Sequence, residues 1–173
     1  MNDTYAIATS AGGDVTTLSD YAELANSDPS NATMCAASEF LDRADGFPGL
    51  EKTYDFELPE DAITEVDLGI IFTQVPKGDP CKFGEVFETD GRIPANDMVV
   101  LEDDKSFFVK YNVALTVAKD TFEKSPELED IFTPIAEAID TATMQELNSQ
   151  VDVDGLPADA VAQQWLEENG FIG

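Results

Sequence analysis

The stretch of residues 86–117 constrains the fold more than any other part of the chain. Two apolar runs, at residues 98–101 and 113–117, flank an acidic turn at residues 102–105 and an aromatic cluster of Phe107, Phe108 and Tyr111. Short apolar runs bounded by turn residues are typical of buried strands. The stretch therefore predicts a strand, a turn, an aromatic elbow and a second strand.

The residues before this stretch alternate between strand-like and helix-like segments. Thr17 and Asp20 form a capping pair that begins the first helix, and a short helix is predicted at residues 50–54. Residues 65–74 are assigned to a helix from their place in the alternation, although their Ile and Phe content also suits a strand. The predicted strands cover residues 4–9, 33–37 and 82–87.

The residues after the stretch predict helices to the end of the chain. Ser125, followed by proline, begins a helix to about residue 139, and Thr141 or Thr143 caps the next one. Pro157 begins the last helix, which ends at Gly170. Strands separated by helices predict an α/β fold with a largely parallel sheet.

The charge of the chain excludes some classes of partner. Its net charge is −27, from 36 acidic and 9 basic residues, so nucleic acids and anionic membranes are repelled. The acidity either attracts cationic solutes or keeps a secreted protein soluble. Because the chain has no histidine, Ser/His and Cys/His catalysis and the commonest zinc ligand are excluded. No cofactor is expected.

Cys35 and Cys81 lack the spacing of a metal site, so they form either two buried thiols or one disulfide. The chain shows neither a transmembrane run nor the charged and apolar regions of a signal peptide.

Five segments carry a resemblance to a known family. They read NDTYAIA at residues 2–8, TTLSDYAELA at 16–25, SEFLDRADGFPGL at 38–50, TDGRI and VLEDDK with the following FF and YN at 89–112, and MQELNSQVDVDGLPADAVAQQWLEENGFI at 144–172. In this order and spacing the chain resembles the extracytoplasmic substrate-binding proteins of ABC importers for osmoprotectants such as glycine betaine, choline and carnitine.

The resemblance implies a type II periplasmic-binding-protein fold with one complete lobe plus the C-terminal part of the other. Residues 1–8 would form the hinge crossing strand, residues 9–93 the second lobe, and residues 94–173 the return segment and C-terminal helices of the first lobe, whose N-terminal part is absent. The strand at residues 113–117 would then have a bare edge, for which a homodimer is expected.

The resemblance also implies a location outside the membrane, at the cell surface or in the periplasm, with a signal or anchor upstream of this chain. An oxidising location favours the disulfide between Cys35 and Cys81. The expected partners are a small quaternary ammonium ligand and an ABC transporter permease, and no nucleic acid.

A quaternary ammonium group cannot donate hydrogen bonds, so proteins hold it against aromatic faces. The resemblance places Tyr5 and Tyr111 at two positions of such a cage, with Phe87 as a third lining residue. Arg43 matches the carboxylate of glycine betaine or carnitine. Thr89 and Asp90, at the end of the strand at residues 82–87, are expected to add polar contacts.

Each of these assignments has a structural alternative. Phe87, Phe107 and Phe108 can all be simple core residues, and for Phe107 and Phe108 the core is the expected place. Arg43 can form an ion pair with Glu39, Asp42 or Asp45. The turn at residues 89–92 can be a plain turn in which Gly91 has a positive φ. The chain also departs from the family, because Val109 and Lys110 stand where two prolines are common, and the lysine puts a cation beside the proposed site.

The leading hypothesis is a non-enzymatic solute-binding module whose two lobes close over the cation, in a form that the permease recognises. The main alternative is an acidic α/β module that binds a cation or a protein without a transport ligand. A hydrolase with paired carboxylates is a third alternative, although no pair stands out among the 36 acidic residues. Residues 152–155 do not have the spacing of a calcium loop.

Overall fold

A computed structural model describes all 173 residues of the protein. A five-stranded sheet with helices on both faces forms its first part, and four helices follow. The elements are β1 (Tyr5–Ser10), α1 (Leu18–Ser27), β2 (Met34–Ala36), α2 (Ser38–Asp42), α3 (Phe47–Tyr54), β3 (Ile63–Glu65), α4 (Leu68–Gln74), β4 (Phe83–Phe87), α5 (Arg92–Ala95), β5 (Met98–Val100), α6 (Lys119–Lys124), α7 (Leu128–Ala138), α8 (Thr141–Asp152) and α9 (Ala158–Glu168).

The sheet has the strand order β3-β2-β4-β1-β5. Strand β2 pairs in parallel with β3 and β4, whereas β1 pairs antiparallel with both β4 and β5. Four strands therefore run in one direction, and β1, inserted between β4 and β5, runs against them. The prediction of a largely parallel sheet is confirmed for these four strands, and β1 is the exception. The place of β1 in the alternation along the chain does not reveal the end from which it enters the sheet.

The first helix begins as predicted. The Thr17 hydroxyl accepts a hydrogen bond from the Asp20 backbone N–H at 3.0 Å, and the Asp20 carboxylate accepts one from the Thr17 backbone N–H at 2.9 Å. This reciprocal capping satisfies two backbone donors that the helix leaves free. The helix then buries Leu18, Tyr21 and Ala25 against one face of the sheet.

The two faces of the sheet carry two separate cores. Alternation along β1 places Ile7 in the core beneath α1 and α3, and Ala6 and Ala8 in the core beneath α4. The second core contains the disulfide between Cys35 and Cys81, whose Cα atoms lie 5.6 Å apart. The bond links β2 to the residue two places before β4, so it fixes the pairing of neighbouring strands.

The single helix predicted for residues 65–74 is partly wrong. Strand β3 ends at Glu65, and α4 begins only at Leu68 after the Asp67 N-cap position. The Ile and Phe residues of this segment, Ile70, Ile71 and Phe72, all lie in α4. The prediction for the first residues of the segment fails because strand and helix signals overlap over so few positions.

The strand predicted at residues 113–117 does not form. Only Asn112 makes an isolated antiparallel bridge, with Asn2, and the residues that follow have no regular secondary structure and are mostly exposed until α6. No strand of this chain runs beside them, so their backbone groups have no ladder to join.

The predicted starts of two C-terminal helices also need correction. Ser125 ends α6, and α7 begins at Leu128. The cap of α8 is Asp140, whose carboxylate accepts a hydrogen bond from Thr143 N–H at 2.8 Å. A carboxylate there also faces the positive end of the helix dipole, which a threonine hydroxyl cannot match. None of the helices combines the length and apolar character needed to span a membrane.

Candidate functional site

The candidate site lies at the edge of the sheet where β2, β3 and β4 end and β1 begins. Because β1 runs against β4, Tyr5 at the start of β1 pairs with Phe87 at the end of β4. Ligands of α/β proteins commonly bind outside this edge. Two side chains that the sequence analysis took from distant motifs are therefore neighbours at a position suited to binding.

Four aromatic rings meet at this edge and are called the edge cluster: Tyr5, Phe40, Phe87 and Phe108. The Tyr5 ring centroid lies 4.8 Å from that of Phe87 and 5.2 Å from that of Phe40. Phe108 is 6.3 Å from Phe40. Phe40 is fully buried, whereas Tyr5, Phe87 and Phe108 are half-buried and present part of their surface outward. The cluster has the aromatic surface that a cation–π contact requires.

A carboxyl group lies behind the edge cluster. Glu85 is only 1% exposed, and its Oε2 accepts a hydrogen bond from Ala37 N–H at 2.8 Å. Burial, against the lowering effect of the Ala37 N–H hydrogen bond and with a smaller contribution from the negative charge of Glu39, raises the pKa of Glu85 to about 7. The pKa of the Tyr5 hydroxyl is raised by burial first and then by the charges of Glu39 and Glu85. The edge is therefore both aromatic and negatively charged.

Arg43 lies near this edge but is already paired. Its guanidinium contacts Asp45 at 2.8 Å and Glu39 at 2.9 Å, while 41% of the side chain is exposed. These hydrogen bonds, first from Asp45 and then from Glu39, raise the pKa of Arg43. A ligand carboxylate at Arg43 would have to share the guanidinium with both acids, which is the ion-pair alternative named from the sequence.

Tyr111 reaches the same side of the molecule through its backbone. Its N–H donates to the Asn2 side chain at 2.7 Å, and its carbonyl accepts from Asp3 N–H at 2.9 Å. The side chain is 46% exposed. The structure thus holds residues 109–112 beside the start of β1, but the Tyr111 ring does not pack against the rings of the edge cluster.

A cavity of about 360 Å³ opens between β1 and the return segment. Tyr5 and Phe108 line it together with Thr4, Glu88 and Lys110. Lys110 is exposed, so its ammonium group can extend into water and away from the rings. The volume lies within the range of small-molecule sites.

Thr89 and Asp90 are engaged within the fold. The buried Thr89 hydroxyl donates to the Asp3 carboxylate. Asp90 accepts hydrogen bonds from Arg92 N–H at 2.9 Å and from its guanidinium at 2.6 Å. Both side chains hold the turn after β4 in place, so any contact with a ligand would add to these bonds or replace them.

Gly91 does not have the positive φ predicted from the sequence, since its φ is −66°. Glycine is required at this position for a different reason. A Cβ at this position would overlap the backbone of Ser149 in α8. Glycine is therefore needed here so that α8 can pack directly on the turn after β4.

The acidic turn at residues 102–105 orients the aromatic elbow. The Asp103 carboxylate accepts hydrogen bonds from the Tyr54 hydroxyl and from the backbone N–H groups of Phe107, at 3.0 Å, and Phe108, at 2.8 Å. Both phenylalanines pack against the first core, as predicted. Asp103 thereby fixes the place of Phe108 in the edge cluster.

The structure brings Tyr5 and Phe87 into contact, and Arg43 is close enough for its charge to act on the pKa of the Tyr5 hydroxyl. Thr89 and Asp90 form hydrogen bonds with other residues of the chain. Three contributors escaped the sequence analysis, namely Phe40, Glu85 and Asp103. A signal for Glu85 existed in the pattern, because a charged residue stands between Phe83 and Phe87 on the face of β4 that the alternation assigns to the core.

Comparisons with known proteins agree with one another. The sequence profile described as the substrate binding domain of ABC-type glycine betaine transport systems matches residues 1–168. A glycine-betaine-binding protein of Pseudomonas aeruginosa is 33% identical over 152 residues, which cover 87% of this chain and 49% of that protein. An ergothioneine transport permease/ergothioneine binding protein of Helicobacter pylori is 31% identical over 175 residues, covering 99% of this chain and 30% of that protein.

A solved structure described as a glycine betaine/carnitine/choline ABC transporter superposes with a TM-score of 0.84 at 25% identity, covering 98% of this chain and 61% of that one. The predicted type II periplasmic-binding-protein fold, with one complete lobe and the C-terminal part of the other, is confirmed. The chain spans half or less of the length of the curated relatives described here.

Proposed function

Because this chain belongs to the family of substrate-binding domains of ABC-type glycine betaine transport systems, we propose that it is part of a receptor for a quaternary ammonium osmoprotectant. The receptor binds its solute without chemical change and delivers it to an ABC importer. The observation that carries the proposal is the contact between Tyr5 and Phe87 at the ligand-binding edge of the sheet.

The edge cluster would supply aromatic faces for the methylated nitrogen. The negative quadrupoles of Tyr5 and Phe87 attract a cation, and their carbon surface accepts its methyl groups. Tyr111, whose backbone is held beside the start of β1 and whose side chain is 46% exposed, would join them by rotation of its ring toward the edge cluster. The charge of the edge adds to the attraction, because Glu85 is buried next to Tyr5 and the exposed Glu39 is near the same ring.

Arg43 would recognise the carboxylate of glycine betaine or carnitine. Its exposed fraction of 41% leaves the guanidinium accessible despite its two acidic partners. Thr89 and Asp90 would act mainly by holding the turn that carries Phe87. Choline has no carboxylate, so a preference for choline would leave Arg43 without a role in binding.

The mechanism would be closure of two lobes around the ligand, and the closed form would dock on a permease outside the cytoplasm. The permease partnership is supported by the Helicobacter pylori relative, whose name joins a permease and a binding protein. Residues 1–8 would act as the hinge, residues 9–93 as one lobe, and residues 94–173 as part of the other. An upstream anchor or signal and a homodimer through residues 113–117 stay predictions.

The proposal is tested by calorimetric titration of the full-length protein with glycine betaine, choline, carnitine and ergothioneine. We expect saturable heat from at least one of them. Replacing Tyr111 by alanine is expected to weaken binding by about 1–2 kcal/mol, since one cation–π face is lost. Tyr111→Phe keeps the ring and is the matched control. The absence of heat from all four ligands would overturn the ligand class.

A further inference from the structure

Glu85 occupies a position that the core of a sheet rarely gives to a carboxylate. It lies on β4 opposite Ile7, in a chain register that also pairs Tyr5 with Phe87. Residues two apart on a strand share a face, so Glu85 and Tyr5 are diagonal neighbours on the face that carries the edge cluster. The carboxylate is 1% exposed, yet no lysine or arginine forms an ion pair with it.

One oxygen of this carboxylate is unused. Ala37 N–H binds Oε2, and no group of the chain donates to Oε1. No fully enclosed side-chain oxygen in the protein lacks a partner, so Oε1 keeps a small contact with solvent. A buried, unpaired carboxylate is costly to a fold, and it is expected where a ligand supplies the missing positive charge.

On the basis of the proposed function, we propose that Glu85 is a specificity-determining residue, whose carboxylate selects cationic solutes over neutral solutes of the same shape. The rings of Tyr5 and Phe87 accept the bulk of a trimethylated group whether or not it is charged. A carboxylate shielded from water behind them acts at low effective dielectric, so it favours only the charged form. Specificity for the cation would thus come from a layer behind the rings.

The selection should depend on pH. Burial is the main cause that raises the pKa of Glu85 to about 7, and the facing groups are Glu39 on α2, whose charge contributes to this rise, and the neutral Tyr5 on β1. A bound cation favours the ionised form, so binding should release a proton and weaken as the pH falls below about 7.

The test compares choline with 3,3-dimethyl-1-butanol, its uncharged carbon isostere, by calorimetry on the full-length protein. Glu85→Gln keeps the shape and removes the charge, and Glu57→Gln is a matched control at an exposed position. We expect Glu85→Gln to weaken choline binding about tenfold while the affinity for the isostere stays unchanged, and to abolish the change of choline affinity between pH 8 and pH 6. Glu57→Gln should leave both affinities unchanged.

The outcomes separate this inference from the proposed function. If Glu85→Gln weakens both ligands equally, the residue is merely structural and the inference is overturned. If Glu85→Gln leaves both affinities at their wild-type values, the inference is likewise overturned while the receptor function stands. If the wild type binds none of the four transport ligands named above, the proposed function falls and the inference with it.

Discussion

Residues 1–108, the core region, and residues 109–173, the open region, use apolar side chains in opposite ways. In the core region the apolar residues fill two clusters on the two faces of the sheet. In the open region only Val161 is buried, and of the large hydrophobic residues exposed in the protein all but Ile70 and Val99 lie there. Both regions form regular helices, so secondary structure alone does not separate them.

The two regions differ in whether their helices pack against a sheet, which is what closes a hydrophobic core. In the core region helices α1, α3 and α4 pack on the two faces of the sheet, and a disulfide joins β2 to the residue two places before β4. In the open region, α7 presents apolar residues around a groove of about 430 Å³, lined by Leu115, Phe122 and Phe132 among others. We therefore expect the stability of the protein to reside in the core region.

The largest effect should follow loss of the disulfide. Replacing both Cys35 and Cys81 by serine frees a loop of 46 residues in the unfolded chain, and chain entropy predicts a loss of about 4 kcal/mol. Urea unfolding measures the change. If the double variant unfolds at the same urea concentration as the wild type, the strand pairing of the core region does not depend on this bond. That result would contradict the comparison of the two regions.

A matched pair of leucines sharpens the comparison. Leu50 is fully buried in the first core, whereas Leu115 is 49% exposed in the open region. Leu50→Ala should lower the free energy of unfolding by about 3 kcal/mol, since it leaves a cavity. Leu115→Ala should lower it by less than about 0.5 kcal/mol. Equal losses in urea unfolding would mean that residue 115 is buried in solution.

The pH dependence of stability tests the electrostatics of the core region. Burial raises the pKa of Glu85 from 4.5 to about 7, so the folded state holds a proton that the unfolded chain releases. The resulting stabilisation is complete below about pH 4.5 and is lost as the pH rises through about 7. Relative to Glu85→Gln, the wild type should therefore lose on the order of 2 kcal/mol between pH 5 and pH 8. Thermal unfolding at a series of pH values checks this, and a constant difference would contradict it.

The smallest effect contrasts two helix caps. Thr17 caps α1 in the core region, and Asp140 caps α8 in the open region. Thr17→Ala should lower the free energy of unfolding by about 1 kcal/mol. Asp140→Ala should change global unfolding less, because α8 buries none of its residues, and should instead speed hydrogen exchange in α8. A larger loss of unfolding free energy for Asp140→Ala than for Thr17→Ala would mean that the open region unfolds cooperatively with the core region.

The sequence predicts the core region better than the open one. The cap at Thr17 and the strands at residues 4–9 and 82–87 agree with the structure to within one residue at each end, because local pattern and packing give the same answer there. The strand at residues 113–117 fails because a strand needs a neighbour, and that information is not local. The same holds for Gly91, whose need for glycine comes from the backbone of Ser149 in a distant helix.

The candidate site was only partly predictable. Tyr5 and Phe87 could be named from the resemblance, and their contact became visible only when β1 proved to run against β4. Phe40 was not predicted as a site residue, because a buried aromatic ring is normally assigned to the hydrophobic core. Arg43 shows the opposite difficulty, since its type matches a ligand carboxylate while its actual partners are Glu39 and Asp45.

The most direct test of the account is calorimetric titration of the full-length protein with glycine betaine after replacing one phenylalanine at a time. Phe87 lies in the edge cluster, and Phe132 lies in the exposed groove of the open region. We expect Phe87→Ala to weaken binding at least about tenfold, because a cation–π face is removed, and Phe132→Ala to leave it unchanged. Unchanged binding by a correctly folded Phe87→Ala variant would contradict the account.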